Sequence, residues 1–68
     1  MTDKLSNRLR ELRSERDLTQ AALAELVGVS RKTINTVENG VFVPSTILAL
    51  KLARALGCTV EDVFSVAD

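Results

Sequence analysis

The chain has no histidine, one cysteine and one proline among its 68 residues. A single cysteine excludes a disulfide framework within one chain, which fits a reducing cytosol. Without histidine, a serine–base pair or a cluster of metal ligands, the usual catalytic groups are missing. We therefore expect no enzyme activity, no bound metal and no cofactor, and we interpret Cys58 as a small core residue rather than a redox sensor.

The chain also has no net charge, with nine basic and nine acidic residues. It is therefore not a general binder of polyanions. The charges are unevenly spread, because residues 1–16 are rich in arginine while the last residues are acidic. A neutral chain still binds DNA when its cations share one face. We therefore expect its non-specific affinity for DNA to be modest and its contacts with the bases to matter.

Long hydrophobic runs are absent as well. No run approaches the roughly 20 apolar residues of a membrane span, and residues 1–8 lack the apolar core of a signal peptide. We expect a cytoplasmic protein that does not bind membranes. The length predicts one domain, residues 1–68, with no room for an effector domain or for a small-molecule pocket of roughly 300–1,000 Å³.

The most informative segment is residues 19–40, where two short helical patterns flank Gly28. A hydroxyl residue, Thr19 or Ser30, precedes each pattern and can cap its first turn. Gly28 lies where the chain must turn sharply, and Ala24 is small where two crossing helices come closest. These features are typical of a helix-turn-helix unit, whose helices cross at roughly 90–120°.

Hydrophobic periodicity predicts five helices and no sheet in the core, over about 4–16, 20–27, 31–38, 46–56 and 60–64. In the first helix, Leu5, Leu9 and Leu12 form one stripe. Pro44 makes the connection 41–44 extended, and Phe42 is expected to pack in the core. The fourth helix is expected to bury Ile47, Leu50, either Leu52 or Ala53, and Leu56.

The outward face of the second motif helix is suited to DNA. If Ile34 and Val37 point inward, then Lys32, Asn35 and Thr36 point away, with Arg31 and Thr33 on the flanks. Arginine and lysine donate to guanine or to a phosphate, asparagine pairs with adenine, and a threonine methyl contacts thymine. Residue chemistry alone leaves open which side chain reads which base.

The chain resembles the phage repressor and Cro family of helix-turn-helix regulators, also called the XRE family, and is most similar to its short stand-alone members. The matching residues are Gln20, Leu-Ala at 23–24, Val-Gly at 27–28, Ile34, Val37, Glu-Asn-Gly at 38–40, Leu-Arg-Glu-Leu-Arg at 9–13, Pro-Ser at 44–45 and Ala-Leu-Gly at 55–57. The resemblance covers about residues 4–64. It implies an all-α, five-helix, repressor-like domain with its motif at about 20–39.

The resemblance also implies roles for individual residues. Base reading would fall to Arg31, Lys32, Asn35 and Thr36, and phosphate contact to Gln20 and to the loop that begins at Asn39. The whole surface expected to contact DNA comprises Gln20, Ser30, Arg31, Lys32, Thr33, Asn35, Thr36 and Asn39. Arg13 and Glu38 match the places of a buried salt bridge.

The C-terminal segment, residues 59–68, is expected to form a homodimer interface through its apolar residues Val60, Val63, Phe64 and Val66. Whether residues 65–67 form a short strand is left open. The function expected is a transcriptional repressor that binds an inverted repeat in double-stranded DNA as a homodimer. The alternative is an antitoxin or another protein-interaction module, which usually carries an extra segment that this chain lacks.

Overall fold

The computed structural model describes residues 3–67, and within them it has five helices and one two-stranded sheet. The helices are α1 Leu9–Glu15, α2 Gln20–Val27, α3 Arg31–Glu38, α4 Thr46–Leu56 and α5 Val60–Val63. The strands are β1 Lys4–Asn7 and β2 Phe64–Ala67. Residues 1, 2 and 68, the ends of the predicted domain and of its C-terminal segment, lie outside the described residues. The predicted helical class is confirmed.

The predicted bounds of α2, α3 and α4 are confirmed, because each helix begins at a capping hydroxyl. Thr19, Ser30 and Ser45 each accept a hydrogen bond from the backbone N–H three residues later, at 3.0, 3.2 and 3.1 Å. Gly28 and Gly57 end α2 and α4 in the left-handed conformation, at φ 75° and 69°. Local sequence signals therefore fix the starts of all three helices and the ends of α2 and α4.

The predicted first helix, 4–16, is wrong at its N-terminal end. Residues 4–7 form β1, and α1 begins only at Leu9, whose backbone N–H donates to Asn7 Oδ1 at 3.0 Å. The backbone N–H of Arg8 donates to the carbonyl of Val63 at 2.8 Å, which holds this junction against α5. Leu5 is consequently exposed on the sheet and does not continue the stripe of Leu9.

β1 and β2 pair antiparallel, with Leu5 opposite Val66 and Asn7 opposite Phe64. The short C-terminal strand is therefore present, but it pairs with the first strand of the same chain. It begins at Phe64, so α5 ends at Val63 rather than at 64. Across the strands, the hydroxyls of Ser6 and Ser65 are 2.9 Å apart.

The core lies between the helices and is entirely apolar among the buried residues described. Its members are Leu9, Leu23, Ala24, Val27, Ile34, Val37, Leu48, Leu52, Ala53, Leu56, Val63 and Phe64. Leu52 and Ala53 are both buried, which resolves the alternative between them. Cys58 is partly buried against the core, and this burial raises the pKa of its thiol.

Three expected core residues are exposed instead. Because α4 turns Leu48 and Leu52 inward, Ile47 and Leu50 point outward and are 68% and 56% exposed. Phe42 is also exposed, since it lies in the connection after α3, where its backbone N–H donates to the carbonyl of Thr36 at 3.2 Å.

The C-terminal residues expected at a dimer interface divide into two groups. Val63 and Phe64 are only 1% and 7% exposed within a single chain, so they present almost no surface to a second copy. Their side chains fill the core beneath the sheet. Val60 is half-buried, whereas Val66 is 66% exposed.

Candidate DNA interface

Helices α2 and α3 are joined by a tight turn at residues 28–30. The backbone N–H of Val29 donates to the carbonyl of Ala24 at 3.0 Å, which completes the left-handed end of α2 at Gly28. On α3, Ile34 and Val37 are buried, which fixes the rotation of this helix about its axis. The opposite face of α3 is therefore presented to solvent.

Three side chains on this face form a polar, donor-rich surface. Arg31, Lys32 and Asn35 are exposed and line one shallow depression. Neither Arg31 nor Lys32 forms an ion pair within residues 3–67. Two cationic groups and a side-chain amide are thus available to a ligand that offers hydrogen-bond acceptors.

The hydroxyl residues of this region are engaged within the helix. Ser30 caps α3, and its Oγ lies 3.0 Å from Thr33 Oγ1. Thr36 Oγ1 donates to the carbonyl of Thr33 at 3.0 Å. Thr33 and Thr36 are half-buried. These contacts hold the three hydroxyls in fixed orientations beside the exposed cations.

Glu38, at the end of α3, is the centre of a buried ion cluster. Its side chain is 0% exposed, and Arg13 Nε donates to its Oε2 at 2.6 Å. Arg13 also donates to the carbonyl of Leu18 at 2.7 Å, and Gln20 Nε2 donates to Glu38 Oε1 at 3.0 Å. The ion pair expected between Arg13 and Glu38 is therefore present, and it joins α1, α2 and α3.

Burial of Glu38 by itself raises the pKa of this carboxyl. The hydrogen bonds from Arg13 and Gln20, together with the positive charge of Arg13, outweigh burial and hold the pKa below its ordinary value. Glu38 is therefore ionised at neutral pH, and its carboxylate accepts hydrogen bonds from Arg10, Arg13 and Gln20.

The two residues expected to contact phosphates are both tied to neighbouring side chains. Gln20 donates one N–H to Glu38, and Asn39 Oδ1 accepts from Arg10 Nη2 at 3.1 Å. Arg10 was not predicted to belong to the site, although it lies one turn before Arg13 on the same helix. Asn7, also unpredicted, donates to the carbonyl of Val37 at 3.0 Å and so attaches β1 to the end of α3.

Fold and surface together define a helix-turn-helix DNA-binding domain, in which α3 is the exposed second helix. The helix-turn-helix family model matches residues 9–63. The chain belongs to this family, the XRE type of helix-turn-helix transcription regulators. It is 54% identical over 57 residues to an uncharacterized HTH-type transcriptional regulator of Methanothermobacter thermautotrophicus, which covers 82% of this chain and 83% of that protein.

Solved structures give the same fold. The restriction-modification controller protein C.AhdI of Aeromonas hydrophila superposes with a TM-score of 0.77 at 42% identity, covering 81% of this chain and 83% of that one. The P22 c2 repressor in complex with synthetic operator 9T also gives 0.77, at 35% identity, covering 79% and 82%. The chain is thus a transcription regulator with a DNA-binding fold.

Residues 3–67 contain neither a helix that could span a membrane nor a cluster of side chains that could hold a metal ion. None of the helices there is both long enough and apolar enough to cross a membrane. The same residues contain no group of three or more histidine, cysteine, aspartate or glutamate side chains arranged to hold a metal ion.

Proposed function

We propose that this protein is a sequence-specific repressor that binds an inverted repeat as a homodimer, with α3 in the major groove. The observation that carries the proposal is the free, donor-rich depression formed by Arg31, Lys32 and Asn35 on the exposed face of α3. The similarity to an operator-bound phage repressor supports it. Binding across a promoter would then block transcription by excluding polymerase.

Phosphate contacts would fix the position of α3 on the duplex. Gln20 uses one N–H of its amide for Glu38, so its second N–H stays available for a phosphate oxygen. The buried cluster around Glu38 holds this amide in place. Gln20 would thereby set the register of α3 without reading sequence.

Replacing Arg31 or Lys32 by alanine is expected to weaken binding to a preferred duplex while the fold stays intact. A base contact that is lost should reduce affinity roughly 5- to 150-fold, since a good bidentate pair discriminates by about 1–3 kcal/mol. The measurement is fluorescence anisotropy on a duplex selected from random DNA, at fixed salt. Lys51→Ala removes an exposed charge on α4 as the control. Wild-type affinity in both variants would contradict the placement of α3.

The surface best suited to a second copy is an exposed apolar face beside the sheet. We define the apolar face as Leu5, Val43, Ile47, Leu50 and Val66, all of which are exposed. Leu5 and Val66 are cross-strand partners, so their side chains lie on the same side of the sheet. Leu5, Val43 and Leu50 line one groove, with Val60 and Phe64 among its other residues.

A second copy of the chain fits this face better than a charged partner does. Among residues 3–67, Glu61 is the only charged residue that lines the groove, so there is little charge to select an oppositely charged protein. A twofold partner would present the same apolar face, which is self-complementary. Pairing would also cover part of a sheet of two four-residue strands, which is too small to be stable alone.

Leu50→Asp is expected to give a folded monomer, because the new carboxylates would face each other across the twofold axis. Sedimentation velocity at tens of micromolar should show a dimer for the wild type and a single chain of about half that mass for the variant. Leu26→Asp is the matched control, since Leu26 is 62% exposed and lies outside the apolar face. A wild type that sediments as a monomer without DNA, or equal effects of both variants, would contradict this interface.

A further inference from the structure

A chain of three side chains connects α1 to the exposed surface of α3. Arg10 Nη2 donates to Asn39 Oδ1 at 3.1 Å, and Asn39 Nδ2 donates to Asn35 Oδ1 at 3.2 Å. Arg10 is held in turn by Glu38 Oε1, 3.4 Å from its Nε. We call these three residues, Arg10, Asn39 and Asn35, the amide relay.

The arginine fixes the direction of both amides. A guanidinium group has only N–H donors and no acceptor, so the Asn39 atom facing it must be the oxygen. The nitrogen of Asn39 then faces Asn35, and only an oxygen can accept from it. If either amide were turned over, at least one contact in the amide relay would lose its donor–acceptor match. The order of atoms follows from Arg10 alone.

The amide relay thereby leaves Asn35 with its NH₂ group free. Asn35 Oδ1 already accepts from Asn39, whereas no partner engages Asn35 Nδ2 within residues 3–67. Asn35 lines the same depression as Arg31 and Lys32. All three side chains therefore offer hydrogen-bond donors there, and one of the two lone pairs of Asn35 Oδ1 is already directed to Asn39, away from a ligand.

We propose that Arg10 and Asn39 are positioning residues that orient Asn35 to read a guanine. In the major groove guanine offers two acceptors, O6 and N7, whereas adenine offers one acceptor and one donor. An asparagine that presents its NH₂ group suits the former, in contrast to the adenine pairing expected from the residue type. The inference rests on the proposed function, because it requires α3 to lie in the major groove.

The test compares base preferences rather than affinities. Selection from random duplexes with the wild type and with Asn35→Ala locates the base pair that depends on Asn35, and the wild type is expected to prefer guanine there. Asn39→Asp places an acceptor-only carboxylate between Arg10 and Asn35. Asn35 must then donate to this new carboxylate and turn its oxygen towards the groove, so the preference should shift from guanine to adenine.

Two variants of Arg10 test whether its hydrogen-bond donors, and not merely a side chain at this position, orient the amide relay. Arg10→Lys keeps a donor-only group and should retain the preference for guanine. Arg10→Met removes the donor, so the discrimination between guanine and adenine, roughly 5-fold or more in the wild type, should fall towards 1. Arg10 is 62% exposed and Arg13 still pairs with Glu38, so both variants are expected to fold, as a thermal melt will show.

Three results would overturn the amide relay. The first is a wild-type preference for a base other than guanine at the pair that depends on Asn35. The second is an unchanged preference for guanine in both Asn39→Asp and Arg10→Met. The third is an Asn35→Ala variant that selects the same sequences as the wild type. If Arg31→Ala and Lys32→Ala still weaken binding in that third case, the proposed function stands and only the amide relay fails. If these two variants also bind as tightly as the wild type, α3 does not read DNA.

Discussion

Replacing Arg13 by alanine is expected to destabilise the domain by about 3–5 kcal/mol, because it leaves the buried Glu38 carboxylate without its main partner. Arg13 makes the shortest contact to Glu38, at 2.6 Å, and its side chain is itself only 14% exposed. A domain of this length has a free energy of unfolding of roughly 3–10 kcal/mol. The variant should therefore lose a large fraction of its stability and unfold at much lower urea, which circular dichroism during urea titration will measure.

A double-mutant cycle distinguishes a buried pair from two independent charges. Arg13→Ala combined with Glu38→Ala should lose clearly less stability than the sum of the single variants, since each leaves the other charge unpaired. Arg8 and Glu11 provide the control, because they form an ion pair at 3.0 Å on the exposed side of α1. Their alanine variants should melt close to the wild type. Small, additive losses at Arg13 and Glu38 would contradict the role of this pair.

The stability of the domain at low pH should depend on the same ion pair. Because folding lowers the pKa of Glu38, its contribution is complete above its ordinary pKa of 4.5 and disappears as pH falls through the lower pKa of the folded state. Glu38→Gln removes this titration, so the wild type should lose more stability than the variant between neutral pH and the acid range. Parallel losses in both proteins would show that other carboxyls account for the acid sensitivity.

Local signals made most of the fold predictable from sequence. Hydroxyl caps at Thr19, Ser30 and Ser45, and glycines at 28 and 57, mark helix ends with contacts that span only a few residues. The sheet was not predictable in this way, because the pairing of Lys4 with Ala67 joins distant parts of the chain. A four-residue strand is also too short to display a clear alternation of polar and apolar residues.

The buried face of α4 differs from the predicted one because the sequence of this helix has apolar residues on nearly every side. In Ile47-Leu-Ala-Leu50, four consecutive residues are hydrophobic, so periodicity alone does not select the buried ones. On α3 the two buried residues Ile34 and Val37 stand among polar ones, and the exposed face follows directly. The contrast explains why Arg31, Lys32 and Asn35 are exposed as anticipated, while Ile47 and Leu50 are not buried.

The contacts between different helices and strands are the part of the candidate site that could not be predicted from the sequence. The pairing of Arg13 with Glu38 was implied by a family resemblance, whereas no sequence pattern indicated the partners of Arg10 and Asn7. Their hydrogen bonds to Asn39 and to the carbonyl of Val37 cross about 30 residues of chain. Only the packing of α1 and β1 against the end of α3 brings these groups together.

Phe64→Ala is expected to destabilise the domain by about 3–5 kcal/mol, as usual for a buried phenylalanine. Phe64 is 7% exposed, belongs to the core and is the first residue of β2, where it pairs with Asn7. Its loss removes packing at the junction of sheet and helices. The sequence alone placed Phe64 at a dimer interface, where replacement by aspartate would be expected to yield a folded monomer.

Val66 supplies the matched comparison, because it lies two residues further along the same strand and is 66% exposed. In dilute protein, Val66→Ala should change stability by no more than about 0.5 kcal/mol. Urea unfolding at two protein concentrations separates the contribution of the single chain from that of association. A Phe64→Ala variant as stable as the wild type but no longer associating would return Phe64 to the interface. A variant that unfolds at much lower urea at both concentrations would place it in the core of each chain.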